Sequence, residues 1–155
     1  MMFRFDKKQL GAAESVAHST VLPVRFQDVD AAGIVFFARM FDYVHAAYEE
    51  FLAAAGHPLP SVLKDKRWAA PLRHAEADYL APARFGDSLV VELVAAHLEE
   101  SEISLGWRIR AESGSGKPTA LLQTVHTFVS AENFQRTRVP DEIIRKLSSV
   151  ELAAG

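Results

Sequence analysis

Apolar residues recur at steps of three and four through the middle of the first half of the chain. Phe37, Met40, Phe41, Val44, Ala47, Tyr48, Phe51 and Leu52 trace one stripe, while Asp42, His45, Glu49 and Glu50 lie mainly off it. Gly56 and Pro58 follow, so a helix is predicted from about Val35 to Ala55. Elsewhere the period is two. Ile103, Leu105, Trp107 and Ile109 alternate with Ser104, Gly106, Arg108 and Arg110, the signature of a strand over 102–111. Further strands are predicted over 19–27, 68–84 (bent at Pro71 and Pro82), 88–99 and 119–131. Ser113-Gly114-Ser115-Gly116-Lys117-Pro118 reads as a hairpin loop, 28–33 and the stretch around Lys64, Lys66 and Arg67 as loops, and 140–147 as a short closing helix. Residues 1–18 carry little periodicity and are expected to form a loosely held arm.

One long helix followed by a run of antiparallel strands predicts an α+β fold in which the sheet wraps around the helix. No repeat or linker divides the chain, and its 155 residues suit a single domain spanning 1–155. A 49% apolar content fits a folded globule. The net charge of −3, with no basic run, argues against nucleic acid as a partner. Without cysteine there is no disulfide, no thiolate metal site and no cysteine nucleophile. The start, Met1 to Lys8, lacks an apolar signal core, and the apolar run from Ala31 to Ala38 is too short to span a bilayer, so no membrane role and a cytoplasmic location are expected.

The chemistry concentrates in Phe26-Gln27-Asp28-Val29-Asp30-Ala31-Ala32-Gly33-Ile34-Val35-Phe36-Phe37. Two carboxylates and a glycine turn lead directly into the long helix. A carboxylate there can attack a carbonyl or activate water, while unpaired N–H groups at the helix start receive an oxyanion. The same residues also suit a purely structural turn, with Asp as a cap and Gly supplying an unusual backbone angle. Other motifs fail. Ser115-Gly116-Lys117-Pro118 lacks the upstream glycine and the Ser/Thr of a phosphate loop, and there is no Gly-x-Ser-x-Gly elbow or His-Glu-x-x-His. No metal or redox cofactor is implied.

Asp28-x-Asp30-x-x-Gly33-x-Val35-Phe36-Phe37, with Tyr79-x-x-Pro82-Ala83-x-x-Gly86-Asp87 downstream, resembles the 4-hydroxybenzoyl-CoA thioesterase family of hotdog-fold acyl-CoA hydrolases over roughly residues 20–140. Asp30-Ala31-Ala32-Gly33 and His45-Ala46-Ala47-Tyr48-Glu49 are most similar to its 1,4-dihydroxy-2-naphthoyl-CoA hydrolase branch. The resemblance implies that Asp30 is the catalytic carboxylate and that the backbone N–H of Phe37 binds the oxyanion. Gly33 would let the chain pass close to the substrate, and Phe36 would wall the acyl pocket. It implies an aromatic acyl-CoA substrate and two protomers sharing a site across a seam at 68–84, as a homodimer or homotetramer.

Asp28 could assist Asp30 or bond its own turn backbone, and the structural role is the one expected. His45 and His74 are candidate substrate contacts, although His74 shares its strand face with Glu76 and Asp78, as a solvent-facing strand would. The chain departs from part of the family in having Phe37 where some members carry a histidine. It also has Glu99, Glu100 and Glu102 where others have a basic cluster. The cations left for coenzyme A phosphates are Arg39, Lys64, Lys66, Arg67, Arg108 and Arg110. Alternative readings are a thioesterase for short aliphatic acyl-CoA or acyl-carrier protein, a hotdog dehydratase, or a non-catalytic acyl-CoA-binding protein. The dehydratase would need a histidine in the loop before the helix, where none stands.

Overall fold

Three long strands form the centre of one antiparallel sheet because nearly every residue in them is buried: β3 (Ser88–Leu98), β4 (Glu102–Ala111) and β5 (Pro118–Thr127). The edges are β1 (His18–Pro23), beside β3, and β2 (Leu72–Tyr79), beside β5, giving the order β1-β3-β4-β5-β2. A computed structural model describes residues 2–152. The helical elements are α1 (Lys7–Gly11), α2 (Arg39–Ala54), α3 (Leu59–Lys64) and α4 (Asp141–Leu147).

The alternation in β4 sorts its two faces as predicted. Ile103, Leu105, Trp107 and Ile109 join the main core with no exposed surface. Against them lies α2, burying Met40, Tyr43, Val44, Ala47, Tyr48, Phe51 and Leu52. This is the hotdog arrangement, a sheet curled around one long helix. Near the end of the stripe, Tyr48 stacks on His126 of β5 at 4.4 Å and 17°.

The helix starts at Arg39, four residues later than predicted. The N–H groups of Val35 and Phe36 are already taken by the carbonyls of Ala83 and Asp28, at 2.8 Å each, so this stretch is held in a loop. The stretch around Lys64 contains a short helix, α3, with proline in its first turn, where the missing N–H costs nothing. The flanking strands stop short of the predicted bounds, at Pro23, Tyr79 and Thr127.

The arm is not loose over its described residues, 2–18. Asp6 and Gln9 form a capping box that starts α1. Gln123 grips the backbone of Phe5, accepting from its N–H at 2.8 Å and donating to its carbonyl at 2.7 Å. Arg108 donates to the carbonyls of Gly11 and Ala13. Phe5 and Leu10 then pack with Val94, Ala95 and Leu121 in a second apolar cluster on the outer face of the sheet. The arm is too short for periodicity to show, and the sheet supplies the order it lacks.

Gly106 makes room for that cluster. A β-carbon there would run into Leu10 and lie 3.1 Å from the β-carbon of Ala95. Gly106→Ala is therefore expected to destabilise the protein by about 1–3 kcal/mol through overpacking and to expose Lys7 and Lys8 to trypsin. Unchanged stability and unchanged cleavage would show that the arm yields freely.

Burial of His126 predicts an acid sensitivity. Burial lowers its pKa to about 4 from 6.5, with a smaller lowering from His45, against an opposing hydrogen bond to the Ala70 carbonyl. The unfolded chain takes up a proton at this residue near 6.5, so stability falls as pH drops from there towards the folded value. Between about pH 7 and pH 4.5, denaturant unfolding of the wild type should lose ~2–3 kcal/mol more than His126→Phe loses. An equal loss in both proteins would place the sensitivity in carboxylates such as Asp28 and Glu76.

Candidate active site

β1 ends at Pro23, and the chain turns through a single 3-10 turn at Phe26–Asp28 before reaching α2. Asp28 at the end of that turn is 1% exposed. Tyr43 of α2 donates its hydroxyl to Asp28 Oδ2 at 2.7 Å, and Arg25 Nε donates to the same oxygen at 2.7 Å. Arg39 Nε lies 3.9 Å from Oδ1. Burial pushes the Asp28 pKa up, but the hydrogen bonds from Tyr43 and Arg25, with the charges of Arg25 and Arg39, outweigh it and hold the carboxyl below its ordinary value. With its charge engaged in this way, Asp28 has the structural environment expected for it.

Asp30 is the opposite case. It is exposed, and only Oδ1 is engaged, accepting from the N–H groups of Ala32 at 2.8 Å and Ile34 at 3.2 Å. Gly33, at φ +74°, closes this turn by donating to the Asp30 carbonyl at 3.0 Å. A residue with a β-carbon is strained at that angle. Oδ2 of Asp30 has no hydrogen-bond partner among the described residues. The turn therefore fixes the carboxylate while leaving one oxygen unengaged.

The second motif braces the first. Phe85 N–H donates to the Gly33 carbonyl at 2.9 Å, and Ile34 bridges to Arg84. Asp87 Oδ2 accepts from Arg84 N–H at 2.9 Å and Gly86 takes φ +101°, so residues 82–87 form a rigid bracket under the aspartate turn.

Between Asp30 and α2, the N–H groups of Phe37 and Ala38 find no acceptor among the described residues. The Phe37 carbonyl accepts the Tyr79 hydroxyl at 2.8 Å, which sets the orientation of the peptide plane between Phe37 and Ala38. Phe36 and Phe37 are 48% and 60% exposed and lie 4.7 Å apart. A cleft of about 350 Å³ is walled by Phe37, Met40, Tyr79, Leu80 and Pro82, and Phe36 does not line it. The loop thus carries a carboxylate oxygen and unpaired donors, and Phe37 at its end lines an apolar cleft.

Asp30, Gly33, Phe36 and Phe37 share this loop. His45 sits farther along α2, exposed, 3.5 Å from Glu49. It borders a second cavity of about 310 Å³ reaching to Tyr48 and His126. His74 is on the outer face of β2, 3.2 Å from Glu76, which Arg4 of the arm also holds. Within one chain, His74 is not brought to Asp30.

Arg108 and Arg110 are paired with Glu92, Arg39 with Asp42, and Arg67 with Asp65. Sequence reasoning missed Tyr43, Arg25 and the role of Tyr79. Tyr43 interrupts the polar side of the predicted stripe, and Tyr79 heads the second motif. No cluster of three or more metal-ligating side chains occurs among the described residues, and none of their helices is long and apolar enough to cross a membrane.

The model of the thioesterase-like superfamily matches residues 24–147. A 1,4-dihydroxy-2-naphthoyl-CoA hydrolase from Rippkaea orientalis is 30% identical over 128 residues, covering 83% of this chain and 93% of the relative. A protein of the same name from Synechococcus elongatus is 36% identical over 121 residues, covering 77% and 87%. Among solved structures, a 1,4-dihydroxy-2-naphthoyl-CoA thioesterase from Synechocystis superposes with a TM-score of 0.77 at 25% identity, over 86% of this chain and 96% of that one. Sequence and fold agree over the span that holds the Asp30 turn, its bracket and α2, and the chain belongs to the thioesterase-like superfamily.

Proposed function

We propose that this protein hydrolyses an aromatic acyl thioester of coenzyme A, using Asp30 and the backbone N–H of Phe37. The observation that carries the reading is the pairing, in one braced loop, of a carboxylate with a free oxygen and peptide N–H groups with no acceptor. The thioester carbonyl oxygen accepts from Phe37 N–H, which stabilises the negative charge that grows there in the transition state. Asp30 Oδ2 faces the carbonyl carbon. It acts either as the base that takes a proton from water or as the nucleophile that forms an anhydride which water then opens. Both routes consume one water and release the aryl carboxylate and the coenzyme A thiol. Gly33 gives close approach, Phe37 walls the acyl group with Phe36 packed against it, and His45 borders a separate cavity farther along α2.

The aromatic preference draws on the substrates named for the relatives and on the aromatic and apolar cleft. A second copy of the chain completes the site in this reading. β2 is an edge strand whose free side offers unpaired backbone groups, and Leu72, Tyr79 and Leu80 beside it are 55%, 45% and 48% exposed. Pairing two β2 edges makes a homodimer, from which a homotetramer is built by further packing.

The test is a panel of CoA thioesters assayed with a free-thiol reagent. Asp30→Asn should lower kcat by at least about a hundredfold with the unfolding midpoint unchanged. Asp28→Asn should act mainly on stability. Near wild-type turnover by Asp30→Asn would overturn the assignment, and a greater kinetic loss in Asp28→Asn would move the role there. Across the same panel, dihydroxynaphthoyl-CoA and benzoyl-type thioesters should exceed palmitoyl-CoA in kcat/KM. The reverse order would sink the aromatic reading and leave thioester hydrolysis standing.

A further inference from the structure

Tyr79 ends β2, and its hydroxyl crosses to the loop before α2, where it donates to the Phe37 carbonyl at 2.8 Å. That carbonyl has a second bond, from Met40 N–H, but at 3.4 Å it lies beyond the usual range of about 2.7–3.2 Å. The Tyr79 bond therefore governs the tilt of this peptide. The other end of the same peptide is Ala38 N–H, which has no acceptor among the described residues. In a trans peptide N–H and C=O point in opposite directions, so a hydroxyl that fixes the Phe37 carbonyl also aims Ala38 N–H. The preceding peptide is fixed likewise: the Phe36 carbonyl accepts from Arg39 N–H at 2.9 Å, which aims Phe37 N–H. Both carbonyls bond forwards into the first turn of α2, so both N–H groups point backwards, out of the helix start. They are adjacent, near-parallel donors at the positive end of a 16-residue helix.

We infer that the oxyanion is held by two donors, Phe37 N–H and Ala38 N–H, and that Tyr79 is the positioning residue for the second. The inference rests on the thioester reading above and adds a residue to it. Tyr79 acts in two ways. It stops the Phe37–Ala38 peptide from rocking, so the donor is already aimed when charge develops. By bonding the carbonyl it also polarises the N–H of the same peptide, because linked hydrogen bonds strengthen one another. Burial holds the Tyr79 phenol above its ordinary pKa, so the proton that makes this bond stays in place at neutral pH. The ring has a separate role: it lies edge-on to Phe37 at 6.2 Å and walls the cleft of about 350 Å³. The two contributions can be separated, since Tyr79→Phe deletes the hydroxyl and keeps the ring.

Tyr79→Phe should lower kcat for an aryl-CoA thioester about tenfold with KM nearly unchanged, less than the hundredfold or more that follows outright loss of an oxyanion donor. Ala38→Pro deletes the donor itself, at a φ of −67° that proline adopts, and should lower kcat by about a hundredfold or more. In the Ala38→Pro background Tyr79→Phe should have no further effect, because the N–H it aims is gone. A Tyr79 that merely ties β2 to α2 would lose the same factor in both backgrounds, and that result would overturn the inference. So would Tyr79→Phe with wild-type kcat. Proline at 38 also restrains Phe37, so a further measurement does without it. Infrared difference spectra of a carbonyl-labelled aryl-CoA thioester bound to Asp30→Asn should show the carbonyl stretch lowered from its value in solution, and lowered less when Tyr79→Phe is added. Equal lowering in the two proteins would overturn this inference and leave the thioester reading standing. No lowering in Asp30→Asn would remove the carbonyl from this loop, and both readings with it. Rapid hydrolysis by Asp30→Asn would overturn the Asp30 assignment alone, and the kinetic comparison of Tyr79→Phe in the two backgrounds would still decide the role of Tyr79.

Discussion

The carboxylate of Asp28 lies in the protein interior, and a charge taken out of water has to be met by partners with good geometry. Its partners come from three places: Arg25 from just past the end of β1, Tyr43 from the second turn of α2, and Arg39 from the first residue of that helix. The Asp28 carbonyl also takes the N–H of Phe36. One residue therefore pins strand, turn and helix together, and it delays the start of α2 until Arg39. That delay leaves Phe37 and Ala38 outside the helix with N–H groups that nothing in the described chain accepts. Asp30, two residues on, lies beyond this knot and stays in contact with water. The division of labour between two carboxylates so close in sequence follows from their surroundings: one is buried and paired, the other exposed and half-engaged.

Much of this was legible in the residues. The stripe from Met40 to Leu52 and the alternation in β4 both report burial against a single partner layer, and periodicity detects that. The Asp30-to-Gly33 turn was visible because a positive backbone angle next to a carboxylate demands glycine. What stayed hidden depends on contacts between segments far apart in the chain. The helix start could not be read because the N–H groups of Val35 and Phe36 are claimed by Ala83 and Asp28. The arm looked loose because its order comes from Gln123, Arg108 and the hollow over Gly106. His74 looked like a ligand candidate until its face was fixed. A bulge at Leu72/His74 sets the register of β2 and turns His74 towards Glu76 and the arm.

The two sides of the sheet serve different ends. On the outer face, the arm seals β3, β4 and β5 with Phe5 and Leu10 and neutralises the acids of β2 through Arg4 and Lys7. On the inner face, α2 packs closely near Phe51 and Leu52 but opens towards the β2 edge, where the cleft at Phe37 and the cavity at Tyr48 lie on the same side of the helix. A sheet sealed on one side and grooved on the other can accept a flat acyl group without a change of fold.

In the proposed chemistry Phe37 N–H and Asp30 bracket a thioester carbonyl, and a crystal structure of the protein with a non-hydrolysable ketone analogue of an aryl-CoA thioester would show that arrangement directly. The ketone oxygen is expected about 2.7–3.1 Å from Phe37 N, with Asp30 Oδ2 facing the carbonyl carbon directly or through one water. An analogue bound with its carbonyl away from this loop, or with Asp30 turned out to solvent and unengaged, would contradict it.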